Sequence, residues 1–307
     1  MFLNERTASN ELRTLRSLNV RTTLSKKERQ YYWHLEKGFE GECWLDKRLE
    51  VLPDQVLILR DLTYEVNHTT FQIDTLLIFQ EKLYLLDVKN NDGDHYIEGG
   101  VWKTAQGTEI KNPQHQLLRC TSLLRKLLQI IGINLNICAY LIFVNPEFTL
   151  YQAPRTPEII FPSQLNRFIE KLKAEPCNLS HMHQRIANQL LQDRLKENRH
   201  QIQFTYQLDQ MKKGILCSEC YGFMRRYNQK RLICLKCKKI DLTTNKISSN
   251  IDEFKFLFPD KKITSKYIYN WCGGVATMDV IRRVLNQKYD LISQGRSSYY
   301  VEKSKPD

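Results

Sequence analysis

Nowhere do the 307 residues carry an apolar run near the roughly 18–20 residues that a membrane-crossing helix needs, which argues against a bilayer protein. The opening stretch, Met1 to Asn10, lacks the basic region followed by an apolar segment that marks a secretory signal. A cytoplasmic protein is therefore expected. No internal repeat or low-complexity tract is apparent. With 42% hydrophobic and 26% charged residues, the chain is neither disordered nor collagen-like in composition. Its length points to two or three domains.

Acidic residues are scarce in one place only. Residues 1–200 hold 26 Lys and Arg against 24 Asp and Glu, whereas residues 201–307 hold 20 against 10. The formal charge of +12 is thus concentrated in the C-terminal third. A basic field on a compact module suits a polyanionic partner, and nucleic acid is expected, DNA in the first place, with no membrane contact.

Without a secretory signal, nine cysteines argue against a disulfide framework. Four of them form Cys217-x2-Cys220-x13-Cys234-x2-Cys237, two knuckles that place four thiolates at the corners of a tetrahedron. Zn²⁺ favours that geometry, and a shell closed by four sulfurs is structural, not catalytic. A ribbon of about 30 residues has too little core to fold alone, so the metal would supply its folding free energy. Arg225, Arg226, Lys230 and Arg231 lie in this stretch, interleaved with Tyr221, Phe223 and Tyr227, as in surfaces that meet phosphates and bases. The rings serve equally well as the ribbon's small core.

Upstream, Ser25-Lys26-Lys27-Glu28 has the form of a capping box and opens a helix that ends before Pro53. On one face of that helix Glu42 stands among Leu35, Gly38, Leu45 and Leu49. A carboxylate there is costly unless paired, and Gly38 and Gly41 suggest close backbone packing, so Glu42 is expected to face a cation across a tight interface. Apolar runs at Val56–Leu59, Phe71–Phe79 and Leu83–Val88 read as strands, with a further short strand near Tyr96–Lys103. Asn112-Pro113 reads as the cap and first residue of a helix reaching about Ile131, where Gly132 stops it. Leu135–Val144 reads as a buried strand, Glu158–Phe161 as an edge strand and Ser163–Lys173 as a helix.

Two carboxylates interrupt the apolar strands. Asp74 lies within Phe71–Phe79, and Asp87 and Lys89, two apart, share one strand face. Asp74 and Asp87 on neighbouring strands can share a divalent ion through hard oxygen ligands, with Lys89 offsetting charge on a phosphate. A plain Asp74–Lys89 salt bridge is the competing reading. His95 and His115 lie near this region and are read as surface residues in preference to general bases.

Glu42, Asp74, Asp87 and Lys89 resemble the acid, acid, acid-x-lysine set of PD-(D/E)xK nucleases. Gly38-Phe39-Glu40-Gly41-Glu42, Gln72-Ile73-Asp74, Asp87-Val88-Lys89-Asn90, Trp102 and Asn112-Pro113-x2-Gln116 resemble more narrowly the nuclease-related domain (NERD) family over about residues 30–145. The resemblance implies an α/β fold with a restriction-endonuclease-like mixed sheet flanked by helices. It also implies a site in which Glu42 and Gln116, from helices, complete Asp74, Asp87 and Lys89, with Mg²⁺ or Mn²⁺ as cofactor. In two places the chain departs from the pattern. Asp87 stands where family members usually carry Glu, and Ile73 stands where the superfamily has its proline.

The last segment reads as a short helix from Ile263, a Gly273-Gly274 turn, a second helix capped by Thr277, and a β-type run Ser297–Val301. That order resembles a winged helix-turn-helix, with Arg282, Arg283 and Arg296 as DNA contacts. The expected organisation is an extension (1–29), a nuclease-like domain (30–175), a helical connector and linker (176–211), a zinc ribbon (212–245) and a winged-helix-like domain (250–305). The favoured function is metal-dependent hydrolysis of DNA. The alternatives are a DNA-binding protein on a vestigial nuclease fold and a protein-interaction scaffold.

Overall fold

A computed structural model describes the chain except residues 196–201, 203, 296–297 and 304–307. Arg296, the end of the connector helix and part of the linker therefore lie outside the described residues. Internal contacts divide the chain into two compact units, Met1–Ser9 with Trp33–Gln201, and Asn10–Tyr32 with Ile202–Asp307. The first helix, α1 (Asn10–Arg21), belongs to the second unit. The next, α2 (Lys26–Leu49), contributes residues 26–32 to the second unit and 33–49 to the first. It opens on the expected capping box: Ser25 N–H donates to Glu28 Oε2 at 2.8 Å and Glu28 N–H to Ser25 Oγ at 3.3 Å.

The first unit is built on a mixed sheet. Its strands are β1 (Leu57–Val66), β2 (Thr69–Ile78) and β3 (Lys82–Lys89), followed later in the chain by β7 (Asn136–Phe143) and β9 (Ile159–Ile160). Their order is β1-β2-β3-β7-β9, antiparallel up to β3 and parallel from β3 onward. Asn67 and Asn67's neighbour His68 both adopt positive φ, which gives the two-residue turn joining β1 to β2 the twist a tight hairpin needs. A second sheet holds β4 (Gly93–Glu98), β5 (Val101–Thr104), β6 (Glu109–Ile110) and β8 (Phe148–Tyr151) in the order β6-β5-β4-β8. The single strand expected near Tyr96–Lys103 is thus a hairpin, turned at Gly99-Gly100, where both residues have positive φ.

Helices cover both faces of the main sheet, as its apolar strands require. Leu117, Leu124 and Leu128 of α3 (Pro113–Ile130) and Ile186 and Leu190 of α5 (His181–Asp193) join one buried cluster. Leu45 and Leu49 of α2, with Phe168 and Leu172 of α4 (Leu165–Lys173), join the other. Residues 1–4 run beside β1, with Phe2 bridged to Ile58 in parallel and Leu3 N–H donating to the Ile58 carbonyl at 2.9 Å.

In the second unit, a three-stranded antiparallel ribbon carries β10 (Met224–Arg226), β11 (Arg231–Cys234) and β12 (Ile240–Leu242). Three helices follow, α6 (Thr243–Leu257), α7 (Ser265–Trp271) and α8 (Met278–Lys288), and then the hairpin β13 (Tyr289–Ile292) and β14 (Tyr299–Glu302). Ile263 also bridges to Tyr300, so the hairpin gains a third, one-residue strand. Arg21 of α1 is fully buried at the centre of this unit. It pairs with Glu253 at 2.7 Å, donates to the carbonyls of Lys212 and Gly214, and lies 3.8 Å from the Trp271 ring. One side chain thus ties α1, the entry to the ribbon and the helices into one core.

Candidate active site and metal centre

Asp74 and Asp87 leave the sheet side by side. The β2–β3 pairing ends at Thr75 opposite Leu86, so Asp74 and Asp87 are the next facing positions, where the strands part. Asp74 Oδ2 accepts the Val88 N–H at 2.8 Å, and Asp87 Oδ1 accepts from Lys89 Nζ at 2.8 Å. The ion pair joins Lys89 to Asp87, not to Asp74. Asp87 is buried, and its second oxygen, Oδ2, has no hydrogen-bond partner among the described residues. A buried carboxylate oxygen left bare is costly, which makes it an acceptor in want of a cation.

Glu42 reaches this centre from α2. Gly41 lets the helix press on the end of β3, since a Cβ there would fall 2.6 Å from Asn90 Cβ. Gly38, by contrast, has nothing within 4 Å of such a Cβ, so only one of the two glycines serves close packing. The cation facing Glu42 is Arg6, at 2.5 Å. Arg6 also makes a two-pronged bond with Asp46, at 2.7 and 3.0 Å, and donates to the Asp74 carbonyl at 2.9 Å and Thr75 Oγ1 at 3.0 Å. Arg60 adds a second cation to Asp46 at 3.3 Å. Residues 1–9, which the sequence places in a separate extension, thus supply a side chain to the acidic centre.

A fifth carboxylate stands beside Asp74. Arg60 pairs with Thr75 and Leu62 with Ile73, which sets Asp61 opposite Asp74, and Gln72 Nε2 donates to Asp61 Oδ1 at 2.9 Å. Burial raises the pKa of Glu42 to about 8, with the charge of Asp74 adding to it and Arg6 opposing. Asp74 rises to about 7, through burial first and then the charge of Asp87, against Lys89 and the Val88 N–H. Asp61 is raised too, chiefly by burial. Burial works against the charge of Lys89, but Asp87 and Asp74 outweigh it and hold the ammonium above the ordinary lysine range. Negative charge here is crowded and only partly compensated.

Asp74 opens into a cleft of about 690 Å³. The same cleft is lined by Gln72 of β2 and by Lys111, His115, Gln116 and Arg119 at the start of α3. Asn112 caps that helix by accepting from Gln114 N–H at 2.9 Å, with Pro113 in its first turn. His115, Gln116 and Arg119 follow at helical spacing from Asn112 and are exposed. Gln116 therefore lines the same cleft as Asp74. His115 is exposed as expected, whereas His95 is buried against Phe148, its Nδ1 3.3 Å from the Gly93 carbonyl oxygen. Trp102 is buried and stacked on Phe143, which gives it a packing role.

The second unit holds a separate centre. The sulfurs of Cys217 and Cys237 lie 3.7 Å apart and those of Cys220 and Cys234 3.4 Å apart, and all four lie within 4.8 Å of one another. A regular tetrahedron of about 2.3 Å Zn–S bonds spaces its sulfurs by about 3.8 Å, so the four cysteines could hold a zinc ion. The knuckles are alike: Tyr221 and Lys238, each following the second cysteine of its pair, both have positive φ. Gly222 leaves room for the fold, since a Cβ there would approach Lys236 Cβ to 2.8 Å and Cys234 Sγ to 3.1 Å. Lys236 N–H points at Cys234 Sγ, 3.4 Å away. Arg225, Arg226, Lys230 and Arg231 are exposed on the ribbon, and Arg282 and Arg283 are exposed on α8.

Compared with known proteins, residues 37–144 match the family of the nuclease-related domain, NERD. That stretch spans the helix end carrying Glu42, the strands carrying Asp61, Asp74, Asp87 and Lys89, and the turn of α3 carrying Gln116. No curated protein and no solved structure matches the chain.

Proposed function

We propose that the first unit is a Mg²⁺- or Mn²⁺-dependent nuclease that hydrolyses phosphodiester bonds in DNA, and that the basic second unit binds the substrate. The observation that carries the reading is Asp87: buried, one oxygen on Lys89, the other bare, next to Asp74 at the open end of the sheet. Asp74 and Asp87 are the residues that would hold a divalent cation, with Glu42 assisting as ligand or base. When bound there, such an ion supplies Lewis-acid polarisation of the phosphoryl oxygen and an activated water. Lys89, kept in place by Asp87, positions the water and offsets charge that develops on the phosphate. Gln116 orients the site or touches the substrate from α3. The exposed arginines of the ribbon and of α8 meet backbone phosphates, with an affinity that falls as salt rises.

The reading is tested by incubating zinc-loaded protein with plasmid and single-stranded DNA in Mg²⁺, Mn²⁺ or no divalent ion, beside Asp87→Ala and Lys89→Ala. Metal-dependent cleavage that both substitutions reduce at least about 100-fold is the expected result. DNA binding without cleavage under every condition would favour the second reading, a binding platform on a nuclease fold. That reading has its own support. Glu42 is tied to Arg6, and among the described residues only the four cysteines bring three or more ligand atoms within 4.8 Å.

The crowded carboxylates also predict a pH dependence. Glu42 and Asp74 have folded-state pKa values of about 8 and about 7, above those of the unfolded chain. The folded state therefore holds more protons between pH 5 and 8, and its stability falls as pH rises through that window. The melting temperature without divalent ions should drop from pH 5.5 to pH 8, and Mn²⁺ should restore more of it at pH 8 than at pH 5.5. Glu42→Gln should flatten the slope. An equal gain from Mn²⁺ at both pH values would count against ion binding at these carboxylates.

A further inference from the structure

The ribbon presents two unlike faces. In its register Arg226, Leu232 and Asp241 form one cross-strand row, on the face where Leu232 is fully buried. The opposite face carries the row Arg225, Ile233 and Ile240, and beside it Arg231 paired with Leu242. Tyr227 extends that second row, its N–H donating to the Arg231 carbonyl at 3.0 Å. Tyr227 is 57% exposed, Leu242 44% and Ile240 40%, and both arginines are exposed. The turn that presents them is fixed by Asn228, whose Oδ1 accepts from Lys230 N–H at 3.0 Å and Arg231 N–H at 2.9 Å. Among the described residues, no acid of the three strands shares this face. Asp241 lies in the other row, 3.5 Å from Lys246, and Glu219 of the first knuckle pairs with Lys239 at 2.5 Å.

Apolar side chains alternating with arginines decide what this face can hold. A duplex shows a protein mainly phosphates and groove edges, and surfaces that receive it are polar and cationic. Exposed Ile240, Leu242 and Tyr227 gain little there. Unstacked bases offer apolar π-faces flanked by phosphates, which matches a ring and two aliphatic side chains between guanidinium groups.

We propose that this face of the ribbon binds single-stranded nucleic acid, with bases lying over Tyr227, Ile240 and Leu242 and phosphates held by Arg225 and Arg231. The inference adds a substrate form to the nuclease reading, yet does not depend on turnover in the acidic cleft. DNA and RNA share the recognised chemistry, and the experiment separates them.

The test uses the full zinc-loaded chain carrying Asp87→Ala, so that cleavage does not consume the probe, in buffer free of chelator. Fluorescence anisotropy with labelled 15-residue oligo-dT, oligo-rU and a 15-base-pair duplex gives three affinities at several salt concentrations. Tyr227→Ala and Leu242→Ser should each weaken single-strand binding about 5- to 50-fold, as loss of base stacking does, and leave duplex affinity within about threefold. Arg225→Ala should lower the single-strand salt slope by about 0.7. Lys126→Ala, at an exposed lysine on α3 of the first unit, should change single-strand affinity less than about threefold. Binding of dT or of rU with these responses supports the inference and names the source. It is overturned if the Tyr227 and Leu242 variants, their zinc content unchanged, bind single strands like the parent or lose duplex binding equally. Absence of single-strand binding at 50 mM salt overturns it too, as does tighter capture of an acidic peptide by the same face.

Discussion

Arg6→Ala should destabilise the first unit by about 3–5 kcal/mol, the loss expected when one partner of a buried ion pair is removed. The guanidinium is 2% exposed and spans Glu42, both oxygens of Asp46, the Asp74 carbonyl and Thr75 Oγ1. Asp46 keeps Arg60 after the change, but Glu42 is left as a buried carboxyl without its guanidinium partner beside Asp74, its pKa pushed further up. Glu42→Gln should therefore recover part of the loss, a coupling that a double-mutant cycle reads directly. Arg6→Lys should not recover it, because three rotating donors on a point charge do not match the planar fork that bridges these acceptors. Against a total of about 5–15 kcal/mol for a domain, the loss is a large share of the stability and should lower the urea midpoint markedly. Urea unfolding of Arg6→Ala, Glu42→Gln, the double variant and Arg6→Lys measures it. A loss below about 1 kcal/mol for Arg6→Ala would show that the acidic centre does not need this cation.

That experiment bears on what was legible in the sequence. The main strands and α3 were readable because their signals are local: continuous apolar runs in β2, β3 and β7, and Asn112-Pro113 at the cap of α3. The cysteine knuckles were readable for the same reason, since four ligands within 21 residues fix their own turns. Beyond Leu59, β1 continues by alternation, with Leu62, Tyr64 and Val66 buried and polar residues between them, so a search for apolar runs stops short. The β4–β5 hairpin did carry a signal, Gly99-Gly100, which a single-strand reading passes over.

The carboxylate pair was legible because a charge inside an apolar strand is conspicuous. Arg6 was not, since its partners lie 36 to 69 positions away and only the path of residues 1–9 beside β1 brings it to them. Asp61 was hidden differently. In an alternating strand a charge looks like the solvent face, and only the β1–β2 register sets it opposite Asp74. His95 near a loop read as exposed, but the parallel pairing of β4 with β8 buries it against Phe148. In each of these cases the missing information was a pairing between distant segments.

The same contrast between local and distant contacts governs the expected result of removing one of the four cysteines, which together could hold a zinc ion. Cys234→Ser should drop bound zinc from one equivalent to nearly none and unfold residues 215–242. The ribbon has few apolar anchors of its own, chiefly Ile215, Met224 and Leu232, whereas a structural zinc supplies about 10–16 kcal/mol of apparent binding free energy to such modules. Other ties run outward: Arg21 donates to the Gly214 carbonyl, buried Lys246 of α6 donates to Ser218 Oγ and lies 3.5 Å from Asp241, and Gly214 N–H donates to the Trp271 carbonyl at 2.9 Å. Those bonds anchor the first knuckle and one strand, β12, but neither β10 nor β11, so cleavage by protease should concentrate between Cys217 and Leu242. The first unit has its own two cores, and its protection should be unchanged. Elemental analysis and limited proteolysis of the parent and the variant measure both effects. A parent with no bound zinc, or a variant whose 215–242 segment resists protease as well as the parent does, would mean that packing against α6 and Trp271, and not the metal, holds the ribbon.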